Sequence, residues 1–188
     1  FHPGYKKIWK LLVPRFFGAG IYQVNIFIDT ILASLQNIVG TGAIAALYYA
    51  QRFVQLPLAV FATSLATAVL PFFSAQSARK DPAFIRDNLL SSLRLVAFIM
   101  IPSTIGFFLL SKEIISAIFQ HGSFSGYSTD ITSYALRFYS LGLVFYAGIK
   151  LLVATFYSLQ DTLTPVKISA LALFINVVLS LALMFPLG

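Results

Sequence analysis

An all-α bundle crossing a membrane about five times is what this sequence predicts, and three observations carry that prediction. Hydrophobic side chains fill 59% of its 188 positions and charged ones only 10%, against roughly 45–50% and about 25% in soluble domains. Mean hydropathy is +0.86. The apolar residues also fall in long unbroken runs, whereas a membrane β-barrel would alternate in segments of about 10 residues. A soluble globule of this composition would expose apolar patches beyond the few hundred Å² that monomers tolerate, so soluble enzyme classes are excluded. Cysteine is absent, which removes disulfides, thiolate chemistry and the usual zinc or iron–sulfur ligands. No cleavable leader opens the chain, and it reads as a piece of a longer protein, one partial domain over residues 1–188.

Windows of about 20 apolar residues, the length a ~30 Å hydrocarbon core requires, place five spans: A over 11–35, B over 43–72, C over 88–110, D over 129–158 and E over 163–186. B and D exceed the bilayer and should tilt, kink or project. Pro57 in B and Pro102 in C each remove a helix hydrogen bond, and Pro57 marks a kink point. Asp81 and Pro82 read as a cap and first turn. They lead an amphipathic stretch (Phe84, Ile85, Leu89, Leu90) expected to lie at the interface before C. Thr164 and Pro165 read as the N-cap and first position of E.

Lysine and arginine set the orientation. Lys6, Lys7 and Lys10 precede A, Arg79, Lys80, Arg86 and Arg94 lie between B and C, and Lys167 opens E, all on one side. The opposite connections, 36–42 and 111–127, hold only Lys112, beside Glu113. The basic side is therefore cytoplasmic and the N-terminus lies there. The net charge of +7 expresses this topology and attraction to anionic inner-leaflet lipid, not affinity for nucleic acid.

Ionisable groups inside spans are the candidates for function, since a charge near the bilayer centre costs roughly 2.5–3.5 kcal/mol on insertion scales. Four qualify: Asp29, Arg52, Arg137 and Lys150. Arg52 lies ~14 Å inside the outer end of B and shares a helix face with Tyr48 and Gln55. Span A carries a matching stripe of Tyr22, Asn25 and Asp29. Two readings stand for Arg52. One is an ion pair with Asp29 that ties two neighbouring helices together. The other is a cation-lined cavity for an anion, in which the guanidinium offers paired donors to phosphate oxygens and Tyr48, Gln51, Gln55 and Asn25 add neutral groups.

Arg137 and Lys150 project about 140° apart on an ideal helix, so a bend at Gly142 or Gly148 would be needed to bring both to one cavity. Snorkelling to the headgroups or interface contacts are the alternatives. Lys150 has Tyr146 and Tyr157 on its own face. Small residues in A (Gly18, Ala19, Gly20) and B (Ala59, Ala62, Ala66, Ala68) suit close helix packing, and Asn176 and Ser180 suit interhelical hydrogen bonds. No catalytic constellation emerges. His121 stands in an outer loop and no histidine cluster offers metal ligands. Asp81, Asp87 and Asp161 have no motif spacing.

A family resemblance rests on particular stretches. They are Ile21-Tyr22-Gln23-Val24-Asn25 through Asp29-Thr30-Ile31-Leu32-Ala33-Ser34, then Ala46-Leu47-Tyr48-Tyr49-Ala50-Gln51-Arg52, Pro57-Leu58 and Ala66-Thr67-Ala68-Val69-Leu70-Pro71. Phe119-Gln120-His121-Gly122-Ser123-Phe124-Ser125 and Phe156-Tyr157-Ser158-Leu159-Gln160-Asp161-Thr162-Leu163-Thr164-Pro165-Val166-Lys167 continue it in order. Together they resemble the MurJ (MviN) lipid II flippase family.

The resemblance implies an exporter fold of two six-helix lobes around a central cavity, of which this chain is the first five helices of the second lobe. It implies a transporter and not an enzyme, residing in the bacterial inner membrane. Lipid II, or a related polyprenyl-diphosphate glycan, would pass from the cytoplasmic to the periplasmic leaflet by alternating access. Its partners would be the bilayer, the N-terminal lobe and the remaining helices. Arg52 matches the family's cavity arginine and Asp29 its acid on the preceding helix. Gln51 and Gln55 depart from the acids that many relatives carry. No cofactor is implied. Asp29 is expected in a charged, structural role beside Arg52, with ion coupling as the open alternative. A different polyprenyl-linked sugar or an amphipathic compound is the alternative cargo, and a scaffold without transport would make Arg52 dispensable.

Overall fold

The structure, a computed structural model, describes residues 4–35, 41–79 and 81–187. All regular structure among the described residues is helical. The helices are α1 (Gly4–Ala33), α2 (Ala43–Pro57), α3 (Ser64–Ala78), α4 (Pro82–Leu109), α5 (Ser111–Phe119), α6 (Gly126–Leu141), α7 (Leu143–Ser158) and α8 (Leu163–Leu187). A single π-helical segment, Leu58–Thr63, joins α2 to α3. Four stretches are long and apolar enough to span a membrane: Leu11–Ala33, Ala43–Ala78, Ala83–Leu109 and Leu163–Leu183. The α6–α7 pair, bent by 46°, makes a fifth when taken together. The expected spans A to E are thus all present.

The chain divides into two compact units, residues 1–41 with 156–188, and residues 42–155. In the first, α1 packs against α8. Gly18 explains how closely they approach, because a Cβ there would stand 3.0 Å from the Val166 methyl. Gly20, expected to serve the same end, faces open space. The side chain of Asp161 caps α8. Its Oδ1 accepts from the Leu163 and Thr164 amides at 3.1 and 3.0 Å, and its Oδ2 accepts from Thr164 Oγ1 at 2.6 Å. This corrects the expected Thr164 cap. The helix starts earlier, and a carboxylate takes the free amides of its first turn better than a hydroxyl already inside it. These hydrogen bonds hold the Asp161 carboxyl below its ordinary range, Thr164 contributing most. Asn176 departs from expectation as well, since its buried Oδ1 meets no donor among the described residues.

In the second unit α6 is the hub, packed against α2, α4 and α5. Lipid tails are as apolar as leucine, so association of helices depends on close packing more than on expelled water. Small side chains supply it: Ala46 and Ala50 on α2, and Thr129, Thr132, Ser133 and Ser140 on α6, are buried. The α6 hydroxyls can be buried because Thr129, Ser133 and Ser140 donate to carbonyls of their own helix or its cap, at 3.2, 2.8 and 2.7 Å. Of the four alanines expected to do this in span B, Ala62 alone is buried. Gly42, in the left-handed region at φ 84°, opens α2 against Ile131 of α6. Phe73, Met100, Ile115, Leu136, Leu143 and Leu151 complete the core.

Three local outcomes bear on the site. Pro57 cannot donate, and the ladder answers with the π turn, in which Thr63 Oγ1 and Ser64 Oγ reach back to the carbonyls of Leu58 and Ala59 at 3.0 and 3.3 Å. The helical run continues through Pro71 to Ala78, ~54 Å in all and well beyond the expected end at 72. The amphipathic stretch after Asp81 is continuous with the span that follows it. Asp81 Oδ1 does accept from the Phe84 amide at 3.0 Å, but α4 then runs unbroken. Its first turns are held down by Ile85 in the core and by Phe84 on Phe72 of α3, rings 5.3 Å apart. Finally, the outer connection between C and D contains α5, which sequence reading passed over as loop.

Candidate functional site

Arg52 stands on α2 nine positions past its first residue, within the apolar stretch Ala43–Ala78. One helical turn back, Tyr48 receives it in two ways. Nη2 donates to Tyr48 Oη at 2.7 Å, and the guanidinium carbon lies 4.7 Å from the centre of the ring. The i, i+4 spacing makes this contact available on any regular helix, and a stacked guanidinium keeps most of its donors free. Both side chains are exposed. Gln51 is half-buried, Gln55 exposed, and neither has a hydrogen-bond partner among the described residues. The contact between Tyr48 and Arg52 that their spacing allows is therefore formed.

The other half of the expected constellation lies in the other compact unit. On α1, Asn25 Nδ2 donates to Asp29 Oδ2 at 3.1 Å, both residues being half-buried. Asp29 and Arg52 belong to different units. A cleft of 480 Å³ lies along α1, lined by Gln23, Val24, Ile26, Phe27 and Thr30. These positions lie on the face opposite Asn25 and Asp29.

Span D bends between its two cations. The expected bend is real and sits at Gly142, where a Cβ would come within 2.8 Å of the Tyr146 ring. Gly148 lies inside unbroken helix. Arg137 is committed elsewhere: its Nε donates to Ser111 Oγ at 2.7 Å, and its guanidinium carbon lies 5.8 Å from the Tyr134 ring. Ser111 is fully buried, so Arg137 fastens α5 to α6. Lys112 and Asp130 add an exposed ion pair across the same seam at 2.7 Å, and that hydrogen bond raises the Lys112 pKa. Lys150 is exposed and has no partner among the described residues.

Sequence reading missed Arg15. Its guanidinium carbon lies 5.1 Å from the centre of the Tyr157 ring, an aromatic that spacing had offered to Lys150. Spacing carries no trace of this contact, because one partner comes from α1 and the other from the end of α7. Among the described residues no group of three or more histidine and acidic side chains is placed to hold a metal ion.

The family model described as "Lipid II flippase MurJ" matches residues 1–188. A protein of Vibrio cholerae named "Probable lipid II flippase MurJ" is 34% identical over 178 residues, 95% of this chain and 33% of its own length. Proteins of the same name from Haemophilus influenzae and Helicobacter pylori are 32% and 33% identical, over 92% and 97% of this chain and 34% and 39% of their own. The chain thus spans about a third of the length of the curated relatives it matches.

Proposed function

Because this chain belongs to the MurJ lipid II flippase family, we propose that it is part of a flippase that carries lipid II from the cytoplasmic to the periplasmic leaflet. It supplies the first helices of the second lobe, in the inner membrane, with its N-terminus in the cytoplasm. Transport is by alternating access, the two lobes rocking about the cargo, so the cavity is complete only with the first lobe and the remaining helices. The observation that carries the reading is Arg52: an exposed cation inside a long apolar helix, stacked on Tyr48 with donors to spare.

In this reading the Arg52 guanidinium takes the lipid pyrophosphate through paired N–H donors. Tyr48, Gln51 and Gln55 supply neutral hydrogen-bonding groups on the same helix, and Asn25 one on α1. Asp29, oriented by Asn25 on α1, keeps a structural role there. Arg137 is a tie within its own unit, and Lys150 is a peripheral cation. No cofactor is invoked. A cavity with this cationic balance discriminates against cationic drugs.

The test is complementation of a flippase-depleted bacterium by the full-length protein, with membrane abundance checked for each variant. Arg52→Ala at normal abundance is expected to abolish rescue, and Arg52→Lys, which keeps the charge and loses the paired donors, to rescue in part. Full rescue by Arg52→Ala would remove the anion-binding role. Failure of the unmutated protein to rescue despite normal insertion would remove the lipid II assignment.

A further inference from the structure

The contact that presents Arg52 is itself held from a distance. Tyr48 is 52% exposed, so little packing fixes its ring directly. Its ring neighbour is Tyr49, edge-on with centroids 5.8 Å apart and planes at 74°. Tyr49 in turn packs against two residues of the outer loop region, Phe119 at 4.9 Å and Phe124 at 6.0 Å, which lie 5.7 Å from each other. Phe119 also meets Phe53 at 5.8 Å, nearly perpendicular, and Phe53 meets Phe107 of α4 at 6.5 Å. Tyr49 and Phe53 are one turn apart on α2 and flank Arg52 in sequence. The end of α5 and the loop after it therefore close over the α2 face adjacent to the one that bears the guanidinium.

This arrangement has a physical consequence for anion binding. A free arginine side chain samples many rotamers and loses that freedom when it holds a ligand. Stacking on a fixed ring removes part of the freedom beforehand, provided that the ring is fixed. Aromatic pairs, edge-to-face at Tyr48–Tyr49, Tyr49–Phe124 and Phe53–Phe119 and tilted at Tyr49–Phe119, have a definite geometry and add to simple burial, so a row of them transmits orientation better than aliphatic contacts would.

Building on the anion-site reading above, we propose that Phe119, Phe124 and Tyr49 are positioning residues for Arg52: an aromatic row from the outer loop to Tyr48 that orients the guanidinium for a polyprenyl diphosphate. None of the three touches the cargo. They act through Tyr48, and their contribution exists only while Arg52 is there to be oriented.

That dependence is the test. Affinity for farnesyl diphosphate is measured on the full-length protein for Tyr49→Leu, Phe124→Leu and Arg52→Ala, and for each aromatic change combined with Arg52→Ala, with a melting temperature for every variant. Leucine keeps apolar bulk and removes the ring. Each aromatic change is expected to weaken binding about three- to tenfold when Arg52 is present and less than about twofold when it is absent, a coupling of the size seen between contacting residues. Melting temperatures should change equally in both backgrounds, and Phe124→Tyr, which keeps a ring, should retain the parent affinity. Equal weakening in both backgrounds, or none in either, overturns the proposal. If Tyr49→Leu fails to accumulate, Phe119→Leu supports the same comparison from the loop side. If Arg52→Ala itself leaves affinity unchanged, the anion site and the row fall together; if it weakens binding while the ring changes do not, only the row falls.

Discussion

Single side chains decide how cations are used in this protein, because Arg52, Arg15 and Arg137 have each found a different aromatic or hydroxyl partner. Arg52 stacks on Tyr48, Arg15 on Tyr157, and Arg137 is tied to Ser111. The first was legible in the sequence, since both members are one turn apart on one helix. The other two join segments far apart in the chain, where periodicity is silent. Asp161 shows the same limit. Its spacing from Thr164 is ordinary, and only the backbone geometry reveals that it takes three hydrogen bonds. Asp161→Ala is expected to lower the melting temperature at neutral pH. The Asp161 pKa is depressed in the folded state, so its contribution is full above the ordinary carboxylate pKa and is lost as pH falls through the folded value. The melting-temperature deficit of the alanine variant should therefore shrink between about pH 7 and about pH 3. A constant deficit would assign the cap to geometry alone.

At the scale of elements, hydropathy located every span but not its internal breaks. Proline was a guide of mixed value. Pro57 precedes a π turn, whereas Pro71 and Pro102 sit inside regular helix, where neighbouring residues absorb the lost hydrogen bond. Gly142 marks the bend and Gly148 does not, which spacing could not distinguish. The short helix α5 was hidden because it is too short for a span window, although Ile115 and Phe119 already share one face. Close packing gives a direct contrast in α1. Gly18→Val should destabilise the protein by ~1–3 kcal/mol through overpacking against Val166. Gly20→Ala, with open space around it, should stabilise the helix by ~0.5–1 kcal/mol. Thermal unfolding in detergent compares the two, and similar effects at both positions would contradict the packing of α1 on α8.

For the whole molecule, the family and its membrane character were present in composition and motif order, and the division into two compact units was not, since it arises from which helices touch. The chain covers about a third of its relatives, and in the two-lobe reading proposed above it supplies only part of one lobe. Residues 1–188 reconstituted alone are accordingly expected to leave lipid II where it is, and translocation by this stretch would contradict the alternating-access account. Orientation is tested by single cysteines, for which the absence of native cysteine in this stretch is convenient. A cysteine at position 77 should react from the cytoplasmic side and one at position 122 from the periplasmic side.

The central claim is that Arg52 holds the anionic head of lipid II during its passage. Its most direct test is translocation in vesicles that carry lipid II in both leaflets and the full-length protein, read as the fraction of lipid II open to an external, membrane-impermeant reagent. The unmutated protein should expose the inner-leaflet pool, Arg52→Lys should do so more slowly, and Arg52→Ala should leave that pool protected at equal protein incorporation. Translocation by Arg52→Ala at the parent rate would contradict the claim.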